Sequence, residues 1–515
     1  MSKSNPIGFV CGTKGDSVSF LVNKDVTLSF GQIVRIESGE RSFYARVVNS
    51  ESSSTLELIE QLREAEGKEA FGPYSAYRRV DGVLFLERRS HRARSPTFNP
   101  DYRDKVFTTS EEDCSTLRLS GELEVGCLRS GDQVLGSVGI NIEAIPLMMG
   151  MFGMTGSGRT NTELILNAHL IDNSPKTAAL IFDFAGQLLE GKGINPQRGL
   201  KDHPLFHTKI QYYSAKNRKL AVGLYTISPK KLTMLFPDIG LPQIRLAWKL
   251  YKTLGALWIE KAREIYSLQG SKEIGTLTGC KNRQVIEALM LKIASLSHSM
   301  FPASDFDFIE NVTQNICNGV TCLVDISGIS SDDQIRVVCL TASAVAQHYK
   351  RMWEENYEEW GKLPTLLITL EEAHEFLEPN NPRTIFSDIA LTYRKYRVGL
   401  NAVTPRPSRI TFDVFAELWT KVIMKTELKK DRTYLTENTP YMEYSETEIK
   451  MLDVGEALLI SEPKIKFAVP IKVIHYPDYL EKRGKADYGL PASPTLSDMN
   501  TRLKQLSGQE NLSLE

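Results

Sequence analysis

The chain has 515 residues, too many for one ordinary core, and its length points to about three domains. Its 42% apolar and 24% charged residues describe a soluble globular protein, while a net charge of -1 excludes a surface that coats nucleic acid non-specifically. Any contact with DNA must therefore come from a local basic feature such as a channel.

Seven cysteines are scattered without a C-x-x-C pair, so neither a zinc site nor a disulfide framework is expected. The first residues lack the apolar stretch of a signal peptide, and no run of about eighteen apolar residues occurs. The expectation is a cytoplasmic protein without a membrane segment.

Residues 1–130 read as β-rich. Short runs such as Ile7–Val10, Ser17–Val22, Gln32–Ile36 and Phe43–Val48 alternate between turn signals, the pattern of a small barrel. A charged helical piece from Thr55 to Lys68 interrupts them. The basic run from Arg88 to Arg94 has two readings, contact with phosphates or an acidic partner, or a solvated strand end.

An α/β pattern occupies 131–224. An apolar run, Ile145 to Phe152, leads as a strand into Gly153-Met154-Thr155-Gly156-Ser157-Gly158-Arg159-Thr160, and Thr160 to Leu170 leads out as a helix. Strand, glycine turn and helix form the context of a phosphate-binding loop. Gly153, Gly156 and Gly158 allow backbone N–H groups to wrap a polyphosphate, Thr155 and Ser157 lie in the same loop, and Thr160 is placed to ligate magnesium. Arg159 stands where the pattern asks for lysine and brings a planar fork instead of a compact ammonium. Ala178–Phe184 reads as a buried strand whose Asp183 either faces the nucleotide or holds a turn. The basic turn Lys216–Lys219 has a DNA-facing and an ordinary exposed reading.

Helical periodicity marks 225–300 as an insertion with apolar positions in the core. The α/β pattern resumes over 301–485. Thr321–Gly328 repeats strand, acid and turn, and Leu366–Leu370 closes on Glu371 and Glu372. Paired carboxylates after such a strand either serve two tasks, with Glu371 holding magnesium and Glu372 orienting the attacking water, or form an acidic helix N-terminus favoured by the dipole. His374 reads equally as a relay of nucleotide state or a structural histidine. Arg394, Lys395 and Arg397 precede the next strand, where ring NTPases can donate a cation to a neighbouring subunit; the alternative is basic residues capping a helix C-terminus. Residues 486–515 read as a flexible tail.

Together, Gly153–Thr160, Asp183, Val324–Gly328, Glu371–His374, Arg394–Tyr396, Thr404–Ser408 and Gly455–Leu458 resemble the HerA-type ATPases, relatives of the FtsK pumps. The resemblance covers nearly the whole chain. It implies a RecA-like P-loop core preceded by a β-barrel, and a homo-hexamer that threads duplex DNA through a central channel. It also implies ATP and Mg2+ as cofactors, with Arg394 given in trans. A NurA-like nuclease or another effector would dock on the barrel, in DNA-end processing or antiviral defence. Two departures stand out: Arg159, and Pro405 where the family carries a glutamine that senses the γ-phosphate. They support an alternative, a weakened ATPase that scaffolds an effector.

Overall fold

The computed structural model describes residues 5–23, 25–51, 77–89, 92–192, 198–217, 219–303, 307–378 and 385–487. The expected helix from Thr55 to Lys68 and the expected tail beyond Asp487 lie outside them, as do Ser90, His91 and Arg218.

The first seven strands are β1 (Gly8–Lys14), β2 (Ser17–Asn23), β3 (Ile33–Ser38), β4 (Arg41–Glu51), β5 (Tyr77–Arg89), β6 (Arg92–Arg94) and β7 (Lys105–Thr108). Their order is β2-β1-β7-β3-β4-β5-β6, and pairing of β2 with β5 closes six of them into a barrel. The alternation seen in the sequence points Val18, Phe20, Val34, Ile36, Phe43 and Ala45 into a separate barrel core. Among the described residues β6 pairs with β5 alone, so Arg92–Arg94 of the basic run lie outside the closed wall, whereas Arg88 and Arg89 belong to β5 within it.

A larger sheet holds β8 (Leu123–Ser130), β9 (Gln133–Ile140), β10 (Met149–Phe152), β11 (Thr177–Asp183), β12 (Ile210–Ser214), β13 (Thr321–Asp325), β14 (Thr365–Leu370), β15 (Val398–Thr404), β16 (Thr420–Met424), β17 (Glu456–Ser461) and β18 (Ile465–Val473). Its order is β12-β13-β11-β14-β15-β10-β16-β17-β18-β8-β9. From β12 through β16 the neighbours are parallel, and the remaining pairs are antiparallel. This is a RecA-like core: β15 separates the strand before the glycine loop from the strand before the paired carboxylates. The parallel strands are buried along their length, which is why they read as continuous apolar runs.

Two boundaries differ from expectation. The expected limit at residue 130 falls inside the β8–β9 hairpin, which belongs to the large sheet. The strand expected from Ile145 begins only at Met149, because Ile142–Leu147 winds into a 3-10 turn around Pro146. Proline has no N–H to give to a ladder, so the apolar run cannot pair until it has passed.

Within 225–300 lie the helices Leu241–Leu254, Trp258–Thr278 and Arg283–Ala294. They cover one face of the sheet, with Leu246, Leu250, Trp258, Ile286 and Leu289 in its core. The indole of the fully buried Trp258 donates to the Ile227 carbonyl at 2.8 Å. The opposite face packs the helix Arg159–Asp172 and the C-terminal helix Tyr476–Asp487.

The barrel is fastened to this core by buried polar groups. Arg46 of β4 pairs with Glu448, and its other nitrogen donates to Ser445 at 2.7 Å. Arg129 reaches both Glu448, at 3.8 Å, and Glu456, at 3.6 Å. Gly31 passes so close that an added Cβ would overlap the Glu448 carboxylate. Phe85 stacks on Phe467 with ring centres 3.8 Å apart, so the junction is apolar beside the ion pairs.

Candidate functional site

The glycine loop turns sharply from β10 into the helix Arg159–Asp172. Gly156 and Gly158 have φ values of 84° and 105°, a region costly for any side chain. Gly153 is needed for space, because a Cβ there would meet Ser157 Oγ at 2.6 Å and Met424 Cβ at 2.8 Å. Ser157 is buried and braces the loop from within: its hydroxyl donates to the Met154 carbonyl at 2.8 Å and its N–H to the same oxygen at 3.2 Å. From outside, the Gly455 N–H donates to the Ser157 carbonyl at 3.1 Å. Thr155 and Gly156 are exposed on the loop's rim, and Thr160 is half-buried. Arg159, also half-buried, makes no hydrogen bond or ion pair among the described residues.

Asp183 closes β11 and is fully buried. It accepts N–H groups of Gly186 at 2.6 Å, Gln187 at 3.2 Å and Leu188 at 2.9 Å. Of the two readings of this residue, the geometry matches the turn carboxylate: its oxygens hold the chain that folds back over the site, so it shapes the wall.

Glu371 lies at the end of β14 and accepts the Phe184 N–H at 2.8 Å, which ties the two strand ends together. Enclosure and the neighbouring Glu163 and Asp183 push its carboxyl well above the usual range. Glu372 has φ 48°, an uncommon left-handed conformation for a residue with a side chain. That bend leaves its side chain 43% exposed, with one oxygen 3.4 Å from His374 Nδ1. His374 is buried; Nδ1 lies 3.0 Å from Thr404 Oγ1 and Nε2 3.1 Å from Glu375. Burial lowers its pKa while Glu372 and Glu375 oppose the shift, which favours a neutral ring. Thr404 Oγ1 also accepts the Arg406 N–H at 3.0 Å, so β15 is linked to the carboxylate pair.

The structure thus gathers Gly153–Thr160, Asp183, Glu371 and Glu372 at the carboxyl ends of β10, β11 and β14. Arg394 is elsewhere. It opens a short turn before β15, is exposed, and stacks on Trp419 at 4.9 Å. The seven residues of β15 span about 23 Å between that turn and the loop end of the sheet. Arg394 does not reach the glycine loop of its own chain.

Several residues at the site escaped the sequence reading as participants. Asp325 accepts the Tyr212 hydroxyl at 2.7 Å and the Ser327 hydroxyl at 2.7 Å. Glu163, one turn along the loop's own helix, is 2% exposed and its Oε2 has no hydrogen-bond partner. Burial, opposed by Arg159 and reinforced by Asp183 and Glu372, pushes its pKa up to about 8. One charged residue inside an apolar helical stretch was its only sequence signal.

Comparison with known proteins gives a consistent picture. Residues 123–345 match the family model described as Helicase HerA, central domain. The chain is 24% identical over 376 residues to the DNA double-strand break repair helicase HerA of Saccharolobus solfataricus, covering 70% of each. It is 22% identical over 542 residues to the protein of that name from Pyrococcus furiosus, covering 94% of each. Among solved structures, the bacterial conjugative coupling protein TrwB superposes with a TM-score of 0.48 at 12% identity, over 71% of this chain and 92% of that one. VirB4 of Thermoanaerobacter pseudethanolicus gives 0.48 at 14%, over 70% and 98%.

Proposed function

The chain is a HerA-type member of the HerA–FtsK P-loop ATPases, and from that premise we propose that it hydrolyses ATP in a ring of six subunits and moves duplex DNA through the central channel. The observation that carries this reading is the convergence of the glycine loop and the two carboxylates at one sheet end, while the exposed Arg394 sits at the other. A site whose own cation is out of reach is completed by a neighbour.

In this reading the loop from Gly153 to Gly158 wraps the polyphosphate with backbone N–H groups, and the helix behind it adds the positive end of its dipole. Ser157 keeps the loop's shape, Asp183 its wall, and Arg159 supplies the charge that lysine usually brings. Thr160 and Glu371 would hold Mg2+, which when bound neutralises charge on the phosphate oxygens. The residues fit such an ion. Thr160 lies in the first turn of the helix behind the loop and Glu371 follows β14 at the same end of the sheet, and magnesium favours one or two protein oxygens together with phosphate and water. Glu372, open to solvent, orients the attacking water. Arg394 of one subunit stabilises charge on the γ-phosphate in the next.

The barrel, with Arg92–Arg94 of β6 outside the closed wall, is the docking face for a nuclease or other effector in DNA-end processing or antiviral defence in the cytoplasm. No helix among the described residues is long and apolar enough to cross a membrane. Phosphate release measured with and without duplex DNA tests the motor. DNA-stimulated turnover is expected, and turnover no higher than that of Glu372→Ala sinks the reading.

Arg159 and Pro405 favour a second reading, a scaffold that assembles its effector without efficient hydrolysis. Arg159→Lys separates the two. A motor tuned to arginine loses rate with lysine, whereas a decayed site gains it.

A further inference from the structure

We propose that Glu163 is a positioning residue for Arg159, and that the two act as a pair in place of the usual lysine. The proposal rests on the glycine loop binding a polyphosphate. Arg159 and Glu163 are four residues apart on the helix Arg159–Asp172, so they share a face one turn apart, although the two side chains are not paired in this structure. Glu163 Oε2 is buried without a hydrogen-bond partner, and Arg159 has no partner among the described residues.

The other carboxylates at this end of the sheet are committed. Asp183 answers three N–H groups, Glu371 takes the Phe184 N–H, and Glu372 lies against His374. Glu163 is therefore the carboxyl that awaits a donor. A guanidinium has five donors in a rigid fork, so one edge can meet Glu163 while the other faces phosphate. Lysine's ammonium has neither the plane nor the second edge. The pairing accounts for a loop that carries arginine together with a buried acid one turn behind it. Arg159 also acts electrostatically on Glu163, opposing the effect of burial.

A double-mutant cycle tests this, with calorimetric binding of ATPγS and magnesium by the full-length protein as readout. Glu163→Gln keeps the shape but removes the carboxyl that can ionise against the guanidinium, and is expected to weaken binding by about 10-fold, the scale of a charge-assisted hydrogen bond. In an Arg159→Lys background the same change is expected to alter affinity by less than about 2-fold, because the fork it serves is gone. Glu163→Asp, which keeps the charge but shortens the reach, is expected to weaken binding as Gln does. The melting temperature of the nucleotide-free Glu163→Gln protein is expected to rise, since an unanswered buried carboxyl beside two others has been removed. A merely structural glutamate would move both readouts in the same direction. Equal factors in the two backgrounds would overturn the pairing while leaving the phosphate site standing. No binding by the unmodified chain would remove the phosphate site, and the pairing with it.

Discussion

The two ends of the parallel sheet are built on opposite principles. At the carboxyl end the backbone is bent into left-handed conformations at Gly156, Gly158 and Glu372, and acids crowd together with raised pKa values. At the amino end, the cations are spread over aromatic faces: Arg394 over Trp419, Arg397 over Trp360 and Lys395 over Tyr396. Cation–aromatic contact holds a long side chain in place without neutralising it. One end therefore gathers acids that resist ionising, which the cations of the other could answer, and within one chain the sheet keeps them apart. In the proposed ring, a neighbouring copy would bring the two kinds of end together.

The strongest way to break this comparison is Arg394→Ala. If the amino end serves the next subunit's site, hydrolysis falls by about 10³ to 10⁵. Mixing that protein with an inactive Glu372→Gln chain should restore part of the rate, since some interfaces then receive both groups. A phosphate-release assay in which mixing restores nothing would remove the trans role. Glu372→Gln alone should lower turnover by about 10² to 10⁴ while leaving nucleotide binding measurable, which isolates the carboxyl end's chemistry from its grip.

Glu448→Ala addresses stability away from both ends. It removes the carboxylate that Arg46 and Arg129 share at the buried barrel junction, leaving Arg46 with Ser445 and Arg129 with Glu456, and denaturant unfolding should show a loss of about 3–5 kcal/mol without a direct effect on phosphate binding. The smallest expected effect is the most local. Glu163 has its pKa raised to about 8 in the folded protein, so the folded state holds a proton there that the unfolded chain releases near 4.5. Its penalty is absent below about pH 4.5 and grows as pH rises toward about 8. The melting temperature of the nucleotide-free protein should fall across that window, and Glu163→Gln should flatten the fall. An unchanged slope would show that the acid crowding is relieved elsewhere.

Legibility followed the range of the contacts. The glycine loop and the β14 carboxylate strand announce themselves because their spacing is local, and the helices of 225–300 because their periodicity is. Asp183 was ambiguous because its role depends on whether Gly186–Leu188 fold back onto it, which the strand does not reveal. Glu163 was passed over because its meaning arises from strands that come later in the chain. Pro146 works in the other direction: the apolar run from Ile145 to Phe152 reads as one strand, although a residue inside it cannot pair. The contact between Gly455 and Ser157 had no local trace, since the two are separated by most of the ATPase core.

That last contact bears on how modular the protein is. Gly455 touches the glycine loop, and a few residues before it Glu448 and Ser445 grip the barrel through Arg46. The segment from Ser445 to Gly455 is thus a short tether pinned at both ends. A barrel grafted from a relative would bring its own grip on this tether and would disturb the glycine loop unless the tether travelled with it. Exchange of the barrel is therefore expected to succeed as a two-piece transplant, barrel plus 445–455, and to fail when the cut is made only at the obvious link between barrel and sheet.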